Sequence, residues 1–263
     1  MEIVLKIPFA APGVPCRPFV SVGCLYYLRA VFSKKMDMNQ LPVVTNNLIA
    51  INVLMFFATW VFQSKGINLE NYLSLHFFLA DDFHPYQLIT YMFMHGGFTH
   101  LFFNMFALFM FGRVLEMVWG PKRFLIYYFV TGLGAAVIQE LVQYGYYAAY
   151  LSEYQNVNLA GTIIPMSAYL NLWKTVGASG AVYGILLAFA MMFPNERMFI
   201  IPFPFPIKAK YFVIIFCAIE LLLGLSNNAS DNVAHFAHLG GMLFGFVLVL
   251  LWRKKNEIGG PYV

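Results

Sequence analysis

The stretch NVAHFAHLGGMLFGFVLVLLW (Asn232–Trp252) has no formally charged side chain, and its polar groups lie near its start. About 20 apolar residues in a helix cross roughly 30 Å of hydrocarbon, so this stretch predicts a transmembrane helix. The composition of the whole chain agrees, because 60% of its 263 residues are hydrophobic and only 11% are charged. Soluble domains have roughly 45–50% apolar and about 25% charged residues. The composition excludes an ordinary soluble enzyme and predicts an integral membrane protein.

Similar apolar stretches predict six transmembrane helices in an all-α bundle. The loop between the first two spans, about residues 63–96, mixes apolar and acidic residues. We expect this long loop to lie partly in the membrane and to contain short interfacial helices. The predicted spans lie within Met38–Ser64, Phe83–Gly112 (from about Gly97), Phe124–Tyr144, Thr175–Asn195, Tyr211–Ser230 and Asn232–Trp252.

The six spans predict one membrane domain over residues 38–255, followed by a short cytoplasmic tail at residues 256–263. Residues 1–37 contain no full span, because the apolar stretch Phe19–Phe32 is short and contains Arg29. We expect this N-terminal segment to be disordered, or to precede the true start of translation at Met36 or Met38.

The lysine and arginine residues predict the orientation in the membrane. Short cytoplasmic loops are enriched in these residues, and only Lys65 and Lys174 fall on the other side. Both termini are therefore expected in the cytoplasm, with the protein in a bacterial plasma membrane. The basic residues are scattered between spans, so the net charge of +4 predicts no nucleic-acid partner. The cytoplasmic set is Lys34, Lys35, Arg113, Lys122, Arg123, Arg197, Lys208, Lys210, Arg253, Lys254 and Lys255.

Three polar motifs open the second, fourth and sixth spans, all a few residues below the outer face. They are HGGFTHLFFN (His95–Asn104), GASGAVYG (Gly177–Gly184) and AHFAHLGGMLFG (Ala234–Gly245). A charge at the centre of a membrane helix costs about 2.5–3.5 kcal/mol on insertion scales, so polar groups there call for a function. Their common depth predicts one functional site.

The chemistry of these motifs points to a serine activated by a histidine. Small residues at four-residue spacing let membrane helices approach closely, so Ser179 and His238 are expected within hydrogen-bonding distance. A serine beside such a base is the nucleophile of acyl transfer, which passes through an oxyanion. The small residues are Gly180, Gly184, Gly241 and Gly245.

His100 and Asn104 are four residues apart, share one helix face and carry donors for that oxyanion. Tyr183 is expected to pack on the imidazole of His238 and orient it. No carboxylate is expected near His238 at this depth. Glu220 is the nearest candidate, and it could equally be a satisfied buried acid. The sequence therefore predicts a serine–histidine dyad.

At these three motifs the chain resembles the rhomboid intramembrane serine proteases, over about residues 46–255. The resemblance implies that Ser179 is the nucleophile, that His238 is the general base and acid, and that His100 and Asn104 form the oxyanion hole. It also implies membrane-anchored protein substrates, whose helices unwind near the outer face, and no cofactor or metal.

Other features of the resemblance concern the surroundings of the site. Glu116 and Gly120 match a family pattern and would be structural. Many family members have Trp-Arg in the first outer loop, where this chain has Tyr86-Gln87, so the family's loop packing is not carried over. The third outer loop is also long for a minimal rhomboid.

Two alternatives stay open at this point. His235 and His238 could bind a metal with His95 and His100, which is disfavoured because HExxH and ligand carboxylates are missing. A non-catalytic rhomboid-like protein that binds transmembrane helices is the second, and the presence of both the serine and the base argues against it. His95 is expected either to support the structure or to hold water near the site, and His235 is given no role.

Overall fold

The computed structural model describes residues 42–200, 203–225 and 232–259. The predictions for residues 1–37 and for a start at Met36 or Met38 lie outside the described residues. The helices are α1 (Val43–Gln63), α2 (Glu70–Leu73), α3 (Gln87–Thr90), α4 (Phe98–Ala107), α5 (Arg113–Trp119), α6 (Pro121–Tyr150), α7 (Met166–Leu170), α8 (Ser179–Met192), α9 (Ala209–Gly224) and α10 (Asn232–Lys254).

Short strands form three antiparallel pairs between these helices. The pairs are β1 (Leu75–His76) with β4 (Lys174–Thr175), β2 (Asn156–Leu159) with β3 (Thr162–Pro165), and β5 (Arg197–Ile200) with β6 (Phe203–Lys208).

Four helical segments in the described ranges are long and apolar enough to cross a membrane. They are Val43–Gln63, Phe98–Trp119, Pro121–Tyr150 and His235–Lys254. This finding confirms the prediction of a mostly helical membrane protein. Helices α8 and α9 have 14 and 16 residues. At about 1.5 Å per residue both are shorter than the hydrocarbon core, so the count of six crossings stays a prediction.

The second predicted span differs from the structure at its C-terminal end. We expected it to end at Gly112, but a π-helical segment, Leu108–Gly112, joins α4 to α5 and carries the helix on to Trp119. The guanidinium of Arg113 lies 4.5 Å from the centroid of the Phe109 ring. This cation–π contact accommodates the charge within the helix, where we had placed a boundary.

The centre of the bundle consists of α6, α8 and α10, which pack against one another. Helix α9 packs against α8 and α10, and the segment formed by α4 and α5 packs against α8. Helix α1 contacts that segment and α6. The helices that carry the three polar motifs are therefore neighbours, because α8 packs against both α4 and α10.

Glu116 fixes the start of α1 against the end of α5. The residue is only 4% exposed, and its carboxylate accepts hydrogen bonds from the backbone N–H groups of Val44 (2.9 Å) and Thr45 (2.8 Å) and from the Thr45 hydroxyl (2.7 Å). The first amides of a helix lack partners within the helix, and the dipole there favours a negative charge. Glu116 thus caps α1 at the end of the bundle where α5 ends.

Gln87 organises the loop between α1 and α4. Its side-chain oxygen accepts from the backbone N–H groups of His76 and His84, and its amide donates to the carbonyls of Tyr72 and Asp82. One fully buried side chain therefore holds four backbone positions of the loop. Gln87 belongs to the dipeptide that departs from the rhomboid pattern, and these bonds show how this chain packs its own loop.

The same loop holds the segment that leads into α8. Strand β1 pairs with β4, with Leu75 opposite Thr175 and His76 opposite Lys174. Burial, and next the nearby charge of Lys174, lower the pKa of His76, so its ring stays neutral at neutral pH. The pairing fixes β4 four residues before Ser179.

Candidate active site

Ser179 is the first residue of α8, and Gly177 fixes the backbone that leads to it. Gly177 has φ +126° and donates its N–H to the carbonyl of Tyr91 (2.9 Å). A Cβ at this position would lie 2.7 Å from His100 Cε1 and 3.5 Å from Ser179 Oγ. Only glycine fits, both because of the positive φ and because the backbone lies against the His100 ring. His100 and the Ser179 hydroxyl consequently border the same small space beside Gly177.

The Ser179 hydroxyl and the His238 imidazole are in direct contact. Ser179 Oγ lies 2.9 Å from Nε2 of His238, across α8 and α10. This distance is within the range of about 2.6–3.2 Å that proton transfer requires. The His238 side chain is 17% exposed and Ser179 is also partly exposed, so neither side chain is fully enclosed by the bundle.

Close approach of three helices makes this contact possible. A Cβ at Gly241 of α10 would overlap the carbonyl oxygen of Gly180 in α8, and a Cβ at Gly184 would lie 2.6 Å from Thr131 Cγ2 in α6. At Gly180 and Gly245 the nearest atoms belong to α6, from Ala135 and Tyr127. The four glycines thus serve contacts of α6 with α8 and α10 as well as the expected contact between spans four and six.

Tyr183 and His238 are stacked. Their ring centroids are 4.2 Å apart and the rings are nearly parallel, with 7° between them. The Tyr183 hydroxyl, one turn into α8, donates to Oε1 of Glu220 on α9. The imidazole is therefore held against a flat partner that is itself fixed at its far end.

The expectation that no carboxylate lies near His238 is wrong. Glu220 Oε2 lies 3.0 Å from Nδ1 of His238 and 2.6 Å from Nδ1 of His235. The predicted span Tyr211–Ser230 placed Glu220 at its middle. Helix α9 instead ends at Gly224, so Glu220 is one turn from the end that lies beside the site. A charged residue inside an apolar run was itself the signal that could have pointed to this role.

Metal-ligating side chains also converge at this point. Within the described ranges, the ligand atoms of Glu220, His235 and His238 lie within 4.8 Å of one another, and neither His95 nor His100 belongs to this group. The four-histidine alternative is therefore not formed. The three side chains present are joined by hydrogen bonds through Glu220.

The two side chains predicted to bind an oxyanion, His100 and Asn104, lie on α4, which packs against α8. Asn104 is buried, and its amide donates one hydrogen bond to the carbonyl of His100 (3.1 Å), which leaves the second N–H of the –NH₂ group for another acceptor. The N–H of Ser179 at the start of α8 is one of the amides that a helix leaves unpaired. His95 is buried behind His100, with the two ring centroids 5.0 Å apart.

The residues of this site lie in a region that is similar in sequence to known proteins. The model of the Rhomboid domain matches residues 82–255, about two thirds of the chain and all three polar motifs. The chain belongs to the rhomboid family. With its four long apolar helices, this rhomboid protein is an integral membrane protein.

Bacterial and plant relatives resemble this rhomboid protein over most of its length. YdcA of Bacillus subtilis is 30% identical over 174 residues, which cover 65% of this chain and 69% of the relative. The rhomboid protease AarA of Providencia stuartii is 28% identical over 218 residues, covering 80% and 72%. The chloroplastic rhomboid-like protein 11 of Arabidopsis thaliana is 29% identical over 217 residues, covering 79% and 64%.

Proposed function

We propose that this rhomboid protein is an intramembrane serine endopeptidase that cleaves transmembrane segments of membrane-anchored proteins near the outer face. The observation that carries the proposal is the 2.9 Å contact between Ser179 Oγ and His238 Nε2 inside an apolar bundle. The Providencia relative is named as a rhomboid protease, which supports a peptide bond as the target.

The reaction follows from the roles of the two side chains. Nε2 of His238 takes the proton of the Ser179 hydroxyl, and the oxygen attacks the peptide carbonyl to give a tetrahedral oxyanion. His238 then gives the proton to the leaving amine, and the amine departs from an acyl-serine. Water, deprotonated by the same imidazole, hydrolyses the ester and restores the serine.

The oxyanion is stabilised by His100, by Asn104 and by the N–H of Ser179. The side chain of His100 borders the space beside Gly177 that also touches Ser179 Oγ. Preorganised donors at this point act in a site of low dielectric, where they lower the energy of the developing charge.

Substitution of Asn104 by alanine is expected to lower kcat of the folded protein by about 10²–10³-fold, the usual effect of losing one oxyanion donor. The matched control is Asn52→Ala. Asn52 is also buried and donates to the carbonyl four residues earlier (2.7 Å to Leu48), but on α1. We expect the control to keep kcat. Equal activity of the two variants, measured on a single-span substrate, would show that Asn104 is not in the oxyanion hole.

The position of α8 gives water a route to the acyl-serine in the second half of the reaction. At 14 residues α8 spans only about 21 Å, so a helix that ends at one membrane face begins inside the bilayer. Ser179 and His238 are partly exposed at that beginning. A cavity open to the outer face can be wet while its walls stay buried in protein.

The proposed topology has six crossings, both termini in the cytoplasm and the protein in the plasma membrane of a bacterium. Two contacts support the placement of these basic residues at one end of the bundle: Arg253 donates to the carbonyl of Met191 at the end of α8, and Arg123 pairs with Glu257.

The rhomboid domain is proposed to extend over residues 38–255, with the tail at 256–263. Lipid and membrane-anchored substrates are its proposed partners, with no cofactor.

The test of the function is covalent labelling of purified protein with a fluorophosphonate, combined with cleavage of a model single-span substrate. We expect one adduct, located on Ser179 by peptide mass spectrometry, and loss of cleavage in proportion to labelling. A protein that binds the substrate helix without forming any Ser179 adduct would instead be a non-catalytic rhomboid-like protein.

A further inference from the structure

Glu220 is surrounded by the polar groups of the site. Its carboxylate, with a side chain only 7% exposed, accepts from the Tyr183 hydroxyl on one oxygen and lies against Nδ1 of both His235 and His238 on the other. Three partners for two oxygens fit an ionised carboxylate, which has only acceptor positions. The side chain therefore joins α8, α9 and α10 at the depth of Ser179.

The contact with His238 decides which ring nitrogen carries the proton. A carboxylate can only accept, so Nδ1 of His238 must donate, and the neutral ring then has its lone pair at Nε2. Nε2 is the atom that faces Ser179 Oγ. The tautomer that Glu220 selects is the one that can remove the serine proton.

We propose that Glu220 is a positioning residue that turns the Ser179–His238 pair into a Ser179–His238–Glu220 triad. This inference rests on the proposed function. Glu220 fixes the tautomer and orientation of His238 and stabilises the imidazolium that forms when Ser179 attacks. No bond to Glu220 forms or breaks, and its charge stays the same throughout.

Tyr183 and His235 keep the carboxylate in place. Tyr183 holds Oε1 from α8, and His235, one turn before His238 on α10, shares Oε2. The Tyr183 ring also stacks on His238, so one residue contacts both the acid and the imidazole. His235 thereby gains a role that the sequence alone did not suggest.

The experiment compares Glu220→Gln with Glu220→Asp and with a matched control, Glu116→Gln. Glu116 is equally buried and also accepts several hydrogen bonds, but it caps α1 at the far end of the bundle. Kinetic constants on a single-span substrate and the rate of fluorophosphonate labelling are measured per folded molecule, with folding followed by thermal unfolding in detergent.

For Glu220→Gln we expect kcat and the labelling rate to fall about 10²-fold or more, with KM within about twofold, because a glutamine can present a donor to Nδ1 and select the wrong tautomer. Glu220→Asp keeps the charge, and its kcat and labelling rate are expected to be at least about tenfold higher than those of Glu220→Gln. Glu116→Gln is expected to lower the unfolding temperature and leave kcat unchanged.

Several results would overturn the triad. Normal kcat per folded molecule in Glu220→Gln would make Glu220 a structural acid, and an aspartate variant no more active than the glutamine variant would exclude a role for the charge. Loss of wild-type activity with EDTA, restored by Zn²⁺, would assign Glu220, His235 and His238 to a metal instead. Failure of the wild type itself to label at Ser179 would reject the proposed function rather than the triad alone.

Discussion

Replacement of either Ser179 or His238 by alanine is expected to lower cleavage of a single-span substrate by about 10⁴–10⁶-fold, and the double variant is expected to be no worse. The two side chains act as one unit, because the hydroxyl is a poor nucleophile without the base and the base has no proton to take without the hydroxyl. Their contact of 2.9 Å is the basis for this strong non-additivity.

The measurement is kcat/KM for the two single variants and the double variant in the same detergent or vesicle preparation. Ser167→Ala and His84→Ala are suitable controls, since both residues are exposed and lie outside the site. We expect the controls to match wild type. Cleavage that survives in His238→Ala, or single losses that multiply in the double variant, would contradict the proposed unit.

The sequence could predict features that depend only on distance from the end of a span. The depths of Ser179, His238 and His100 follow from where three apolar runs begin, and the glycine spacing follows from helix periodicity. Both are local properties of the chain. Hydrophobic composition also suffices to predict a helical membrane protein, which the four long apolar helices confirm.

The position of Glu220 could not be predicted in the same way. A charge inside an apolar run indicates a function, but its partner depends on where α9 ends and on how α9 is rotated against α10, which the apolar residues around Glu220 do not encode. The bonds of Gln87 are a second example, because they join backbone positions across a loop that lacks hydrophobic periodicity. Contacts of this kind come from tertiary packing.

The glycines are a third example of contacts that the sequence does not fully predict. Small residues at four-residue spacing predict close approach but do not identify every helix that approaches. In the structure, Tyr127 of α6 donates to the carbonyl of Gly184 and also lies against Gly245. The third helix thus occupies part of the surface that the sequence assigned to α8 and α10 alone.

Substitution of Gly241 by alanine is therefore expected to destabilise the protein and to reduce kcat by about 10²-fold, although alanine is the better helix former. The new methyl group would overlap the carbonyl oxygen of Gly180 and lie 2.7 Å from its carbonyl carbon. Helices α8 and α10 have to separate, and overpacking of this kind costs about 1–3 kcal/mol of folding free energy. The separation also moves His238 away from Ser179.

The matched control, Gly145→Ala, should change stability in the opposite direction. Gly145 is exposed on α6, and in the described structure an added Cβ there meets nothing within 4 Å. The same substitution is then expected to stabilise the helix by up to about 1 kcal/mol, with kcat unchanged. Thermal unfolding and kcat of both variants give the comparison. If Gly241→Ala were as stable and as active as Gly145→Ala, close contact between α8 and α10 would not be what brings the serine to its base.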